Sequence, residues 1–377
     1  MKSALITDSG INKESGGGVV SYNLFDALDR CTEVQYVFSN QDFENNRYNG
    51  IPAYNISPVS YGYSYSDIDK RFSPFLQDYL AYHLIPMETN LDIVQTYGCP
   101  FGLTIEEIKA TFECKVIADV APHDISISQG EHMKFAGKYP FIHLTDELLW
   151  GLYARNLKLA DVVIVHSHSS ANYLKEHAPL AEKPRVIPHG IYLPSEIPPY
   201  PDGLKPGYFG AIGWDKGWVY IVRAWMAMFH ENGPFTQRQE FIMGGKDTAG
   251  FRVQDNYTRY FKILGEVEKI SDFYKQINVY VQASVTEGFG ITVLEAMAHG
   301  RPVIVTEGTG ASELIHDGKE GFVVPIRDER AITRKMTWFY DNPDEIEKMG
   351  KEARKTAEKY TWDKIQDEYI EIYKEIT

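Results

Sequence analysis

Short runs of β-branched and aromatic residues alternate with stretches in which apolar residues recur every three or four positions. In the first half the runs SALIT (3–7), VQYVF (34–38), DIVQTY (92–97), KVIADV (115–120) and DVVIVHS (161–167) read as strands. VVSYNLFDALDR (19–30) and LLWGLYARNLKLA (148–160) carry the helical period between them. Strands that alternate with helices imply a parallel sheet covered on both faces. After residue 206 the alternation restarts. Strands are expected at 207–212, 240–245, 261–267, 279–284 and 302–307, and helices at 218–230, near 269–277 and at 291–299. The last stretch, 350–377, reads as helical and charged, with Tyr360, Trp362, Ile365, Tyr369 and Ile372 as its apolar positions.

Between the two halves lies IPHGIYLPSEIPPYPDGLKP (187–206), with six prolines at 188, 194, 198, 199, 201 and 206. Such density cannot continue a helix or a central strand, so the segment reads as an interdomain linker. The expected organisation is an α/β protein of two Rossmann-like domains, 1–197 and 198–359, with residues 360–377 forming a helix that packs back toward the first domain. A chain of 377 residues suits two such cores.

Composition narrows the function. The net charge is −14, and residues 1–197 hold 24 Asp and Glu against 15 Lys and Arg. Neither half has the basic surplus of a nucleic-acid binder, and an acidic first half gives no support to docking on anionic membranes. No apolar run approaches the roughly 20 residues of a membrane span, and the N-terminus has no signal-peptide pattern. Three cysteines, without CxxC spacing, argue against a disulfide framework or a structural zinc and for a reducing cytoplasm.

The stretch EGFGITVLEAMAHG (287–300) holds the most specific chemistry. Glu287-Gly288-Phe289-Gly290 follows a strand, and Ile291–His299 reads as a short helix closed by Gly300. The first N–H groups of such a helix lack intrahelical partners and favour an anion or hydroxyl, and Gly288 and Gly290 permit close backbone approach. With the helix starting near Gly290, Glu295 lies about 7 Å further along its axis. The two carboxylates then grip separated parts of an elongated ligand rather than share a proton.

The run VYVQASVTEGFGITVLEAMAHGRPVIVT resembles the donor-site signature of retaining glycosyltransferases of the GT-B fold, the family 4 or group 1 type, which carry two carboxylates with seven residues between them around a Gly-Phe-Gly turn. VIPHGI (186–191), GAIGWDKG (210–217), FKILGEVEKISDFYKQINVYV (261–281) and GTGASELIHDGKEGFVV (308–324) resemble further family segments. The resemblance implies a GT-B architecture with two Rossmann-like domains facing a central cleft, a UDP- or GDP-sugar as donor, and no metal or other cofactor. It places Glu295 on the ribose hydroxyls and Glu287 at the sugar end. The N–H groups of Phe289, Gly290 and Ile291 meet sugar hydroxyls or phosphate. Lys216, in a segment that also contains Gly213, stabilises the leaving pyrophosphate, where a fixed cation favours the transition state. Ala211 stands where the family has an arginine; Lys246 and Arg252 are the candidate replacements.

In the first half, ESGGGVVSYNL (14–24) is a Gly-rich loop opening a helix, without the GK[ST] of a P-loop or a GxGxxG. By the resemblance, Gly17 and Gly18 lie near the phosphates or sugar, and His123 meets the transferring sugar or the acceptor. Strand alternation puts His166 and His168 on one face, where structural or acceptor-side roles fit better than a metal without carboxylate or cysteine partners. The tyrosine-rich 60–84 reads as an amphipathic helix. The acceptor implied is a glycan, glycolipid precursor or small molecule. The alternatives are another GT-B activity, such as a sugar-nucleotide epimerase, and a nucleotide-sugar-binding scaffold without turnover.

Overall fold

A computed structural model describes residues 1–7, 11–13, 16–39, 43–55, 90–98, 104–120, 151, 154–178, 180, 182–211, 215–229, 239–245 and 258–377. His123, Gly213, Lys246, Arg252 and the tyrosine-rich 60–84 lie outside the described residues, as does part of the helix expected over 148–160.

The chain divides into two compact units, Met1–His189 with Trp362–Thr377, and Gly190–Thr361. The first holds an eight-stranded sheet in the order β3-β4-β2-β1-β5-β6-β7-β8. Its strands are β1 (Lys2–Thr7), β2 (Glu33–Ser39), β3 (Arg47–Tyr48), β4 (Ile51–Asn55), β5 (Ile93–Tyr97), β6 (Lys115–Asp119), β7 (Val162–Val165) and β8 (Arg185–Val186). All pair in parallel except the short β3, which is antiparallel to β4. The second unit holds a six-stranded, wholly parallel sheet in the order β11-β10-β9-β12-β13-β14. Its strands are β9 (Pro206–Phe209), β10 (Phe241–Gly244), β11 (Phe261–Gly265), β12 (Val279–Gln282), β13 (Val303–Thr306) and β14 (Gly321–Val324).

These strands read as apolar runs because helices cover both faces of the sheets. In the second unit one face packs Val279, Val281 and Ile304 against Trp225, Ile332 and Phe339. The other packs Tyr280, Val303 and Val305 against Leu294, Met297 and Ala353. In each sheet an early strand is flanked by the next strand on one side and a later one on the other: β1 by β2 and β5, β9 by β10 and β12. Such a reversal of strand order opens a crevice at the carboxyl ends, where doubly wound sheets bind ligands.

The proline-rich segment is held rather than free. Arg301, fully buried, donates to the carbonyls of Pro198 (3.1 Å), Pro199 (3.0 Å) and Tyr274 (2.8 and 2.9 Å) and lies against the Tyr200 ring. Pro206 opens β9, a position where a strand tolerates a missing N–H.

The C-terminal stretch holds two helices. Helix Pro343–Ala357 ends before a break at 358–361, where Ile191 N–H donates to the Tyr360 carbonyl and Ile191 pairs with Thr361. A separate helix, Trp362–Glu375, then joins the first unit: Gln366 donates to Asn23 and Asp26, and Tyr369 to Asp119. Strands β3, β4, β8 and β14 and helices Thr104–Phe112, His168–His177 and Glu329–Asp341 were not foreseen in the sequence pattern. No helix among the described residues is long and apolar enough to cross a membrane.

Candidate active site

The second unit gathers its chemistry at the reversal between β9 and β12. The turn 215–217 follows β9, and Glu287 follows β12. Two contacts pin the turn to the end of β12: Val285 N–H donates to the Asp215 carbonyl at 2.8 Å, and Gly217 lies against Ala283. Gly217 has φ +65°, and a Cβ there would come within 1.8 Å of the Ala283 carbonyl oxygen, so only glycine fits. This close approach brings Lys216 Nζ to 2.7 Å from Glu287 Oε2 and 3.3 Å from Asp215 Oδ2. The lysine and the glutamate are partly exposed, at 23% and 19%.

Glu287 is fixed from the opposite side by the segment after β13. Its N–H donates to Gly308 O (2.8 Å) and its carbonyl accepts from Gly310 N (2.9 Å). Gly290, at φ +93°, then opens helix Ile291–Ala298 without a side-chain cap. A Cβ on Gly290 would meet Thr309 at 2.9 Å, so the turn is as tightly built as it is glycine-rich. Phe289 belongs to the core by its side chain, and its carbonyl accepts from Ala311 N. Its side chain is therefore committed to the core.

Glu295 sits on that helix in an environment different from that of Glu287. Burial pushes its carboxyl up to about 7, against the pull of the Tyr274 hydroxyl at 3.5 Å, although the residue keeps some exposed surface. Burial, and then the charges of Glu287 and Asp215, hold the Tyr208 phenol well above its ordinary value. That hydroxyl donates to Ala211 O at 2.7 Å, and Ala211 itself is exposed.

Gln282, the last residue of β12, escaped the sequence reading together with Asp215 and Tyr274. Its amide oxygen accepts from Thr292 (2.8 Å) and Tyr280 (2.9 Å), and its Nε2 lies 3.3 Å from Ser284 Oγ and 3.5 Å from Glu287 Oε2. One signal was present: a polar residue at the end of an otherwise apolar buried strand.

In the first unit, Gly17 and Gly18 lie in the first turn of helix Gly16–Asp29, which follows β1. The expected pairing of His166 with His168 on one strand face fails. The strand stops at Val165, and Ser167 caps helix His168–His177 by accepting from Ser170 N–H. His168 is exposed on that helix, whereas His166 is buried, with Nε2 at 2.9 Å from Asp119 and Nδ1 at 3.0 Å from Ile187 O. Its ring lies 3.7 Å from that of His189. No group of three or more His, Cys, Asp or Glu among the described residues is arranged to hold a metal ion.

Residues 205–342, which contain this whole site, match the family model for glycosyl transferases group 1. The D-inositol 3-phosphate glycosyltransferase of Streptomyces scabiei is 34% identical over 184 residues, 46% of this chain and 41% of that protein. The chain spans less than two thirds of the length of the curated relatives it matches, 29%, 41% and 56% for three of them. Sucrose-phosphate synthase from Thermosynechococcus elongatus superposes with a TM-score of 0.77 at 19% identity, covering 100% of this chain and 98% of that one. Anabaena HepE, in a complex with UDP-glucose, gives 0.68 at 15% identity with 99% of both chains covered. The fold is that of the GT-B glycosyltransferases. Lys216 and Glu287 meet at the carboxyl ends of β9 and β12, and Glu295 lies on the helix that follows Glu287.

Proposed function

We propose that the chain is a retaining, metal-independent glycosyltransferase of the cytoplasm. It moves a hexose from a nucleoside-diphosphate sugar to an acceptor hydroxyl on a glycan or glycolipid precursor. The observation that carries this reading is the Lys216–Glu287 contact of 2.7 Å beside the uncapped helix that bears Glu295, at the carboxyl ends of β9 and β12. A cation, a helix N-terminus and two separated carboxylates match the parts of a sugar nucleotide in order: pyrophosphate, sugar and ribose. Lys216 neutralises the charge that grows on the leaving phosphate. Glu287 orients the sugar hydroxyls, and Glu295, once ionised, accepts from the ribose. Gly288, Gly290 and Ile291 offer backbone to the sugar and phosphate.

The second unit holds the donor and the first serves the acceptor; Gly17 and Gly18 are assigned to the phosphates or sugar, His123 to the transferring sugar or the acceptor, and Gly213 to the donor. The complex of the structural relative HepE with UDP-glucose favours UDP-sugars as donor.

The test is a panel of UDP-, GDP- and ADP-sugars, with nucleotide release followed with and without acceptor extracts and with added chelator. One donor should be consumed only with acceptor, at a rate the chelator leaves unchanged. Binding without consumption under every acceptor would instead favour a scaffold, and release of a rearranged sugar without acceptor an epimerase.

A further inference from the structure

We propose that Gln282 is a positioning residue that holds Glu287 in place when a ligand draws Lys216 away. Only the turnover arm of the test below rests on the glycosyltransferase reading.

Gln282 is 3% exposed, and its amide has a determined orientation. Thr292 donates to Oε1 at 2.8 Å, and the Tyr280 hydroxyl, at 2.9 Å from Oε1, shares its proton with Phe209 O at 3.0 Å. Turning the amide over would set Oε1 against Glu287 Oε2 at 3.5 Å, oxygen lone pairs against a carboxylate. The two hydroxyl contacts therefore leave Nε2 directed at Ser284 and Glu287. Thr292 stands in the first turn of helix Ile291–Ala298. The one amide thus ties the end of β12, the start of that helix and the Glu287 carboxylate together.

The charged and titratable groups facing Glu287 among the described residues are Lys216 and Asp215 from the 215–217 turn and Tyr208 from β9. Lys216 is divided between two carboxylates and is the group a phosphate would attract. Gln282 is buried, uncharged and anchored at its other end, so a phosphate has no comparable pull on it. It is the donor that remains to Glu287 when the lysine turns to a ligand, and it keeps the carboxylate aimed while the chemistry proceeds.

The experiment compares the wild type with Gln282→Met, which keeps the length without the amide, and Gln282→Glu, which keeps an acceptor for both hydroxyls. Protein labelled with 13C at glutamate carboxyls is titrated by NMR, with a Glu287→Gln spectrum assigning the resonance. Losing a donor to the charged form should move the Glu287 midpoint up in Gln282→Met. The second carboxylate of Gln282→Glu should move it further, by about one pH unit. Thr292→Val, which frees the amide without touching Glu287, should give part of the same shift.

In turnover, Gln282→Met should lower kcat on the order of tenfold and leave the donor KM within about twofold. A Glu287 midpoint unchanged in all three variants, with melting temperature alone altered, would make Gln282 a packing residue and overturn the proposal. If the wild type consumes no sugar nucleotide, the glycosyltransferase reading fails while the NMR midpoint still decides the role of Gln282.

Discussion

Both units place charged side chains at the carboxyl ends of parallel strands, yet the two collections are built in opposite ways. In the second unit Lys216 and Glu287 remain about one-fifth exposed, and the cation is divided between two carboxylates. In the first, Asp119 (0% exposed) takes the Tyr369 hydroxyl and lies 2.9 Å from His166, itself 2% exposed and stacked on His189. Burial and the neighbouring His166 push the His189 imidazole well below its ordinary value, so it sits neutral in the stack. A charge committed to buried partners has little left for a ligand, whereas a partly exposed ion pair can exchange one partner for a phosphate at modest cost. The first collection fastens helix Trp362–Glu375 to the sheet, and the second leaves a cation and a carboxylate partly exposed.

The largest effect that can break this contrast is expected from Asp119→Ala. It strands the buried Tyr369 hydroxyl and His166 together, and stability should fall by about 3 kcal/mol or more, read by urea unfolding of the whole chain. A loss below about 1 kcal/mol with abolished turnover would mean that the Asp119 cluster is a working site after all. Next in size is Lys216→Ala. Donor turnover should drop on the order of 100-fold, while stability changes by less than about 1 kcal/mol, as for a partly exposed ion pair. If Lys216→Ala destabilises the protein as severely as Asp119→Ala, the partly exposed pair is structural and the two regions do not differ in kind.

The contrast was only partly visible in the sequence. The strands were legible because the sheets are covered on both faces, which makes runs such as VYVQ and VIVT almost wholly apolar. Lys216 and Glu287 were singled out because glycine turns follow strand ends, and Glu295 because the helix rise sets its distance from Glu287; that Lys216 meets Glu287 was not foreseen. The Asp119 cluster was not, because its partners come from far apart: Tyr369 is 250 residues away from Asp119. His166 and His168 were misread together because the pattern does not mark where β7 stops, and a strand that ends at Val165 rather than 167 sends the two side chains to different elements. Gln282 carried a signal, a polar residue in a buried strand, but its meaning depends on the direction of an amide that only the three-dimensional neighbours fix.

The smallest predicted effect sharpens the comparison inside the second unit, because Glu295 is a site residue held partly in the manner of the first. Burial raises its carboxyl from the ordinary 4.5 to about 7. The folded chain therefore holds this proton more tightly than the unfolded chain. Between about pH 4.5 and 7 folding takes up a proton here, so stability falls as pH rises through that window, and the cost of the buried charge is fully present above it. His299, on the next turn, is pushed down to about 4 by burial, so it weakens the fold as pH falls from 6.5 toward 4. Both proteins retain His299, so the difference between wild type and Glu295→Gln isolates the carboxyl. The variant should match the wild type near pH 4 and exceed it at pH 8 by about 1–2 kcal/mol, less than full burial would give because the residue keeps some exposed surface. The same substitution should weaken nucleoside-diphosphate binding at pH 8, by isothermal titration calorimetry, because the ribose loses a charged acceptor. A variant no more stable at pH 8 than the wild type would mean that the Glu295 charge is already compensated in the empty site. A variant more stable there and binding nucleotide unchanged would keep the buried charge but remove its reason, and Glu295 would belong with Asp119 rather than with Glu287.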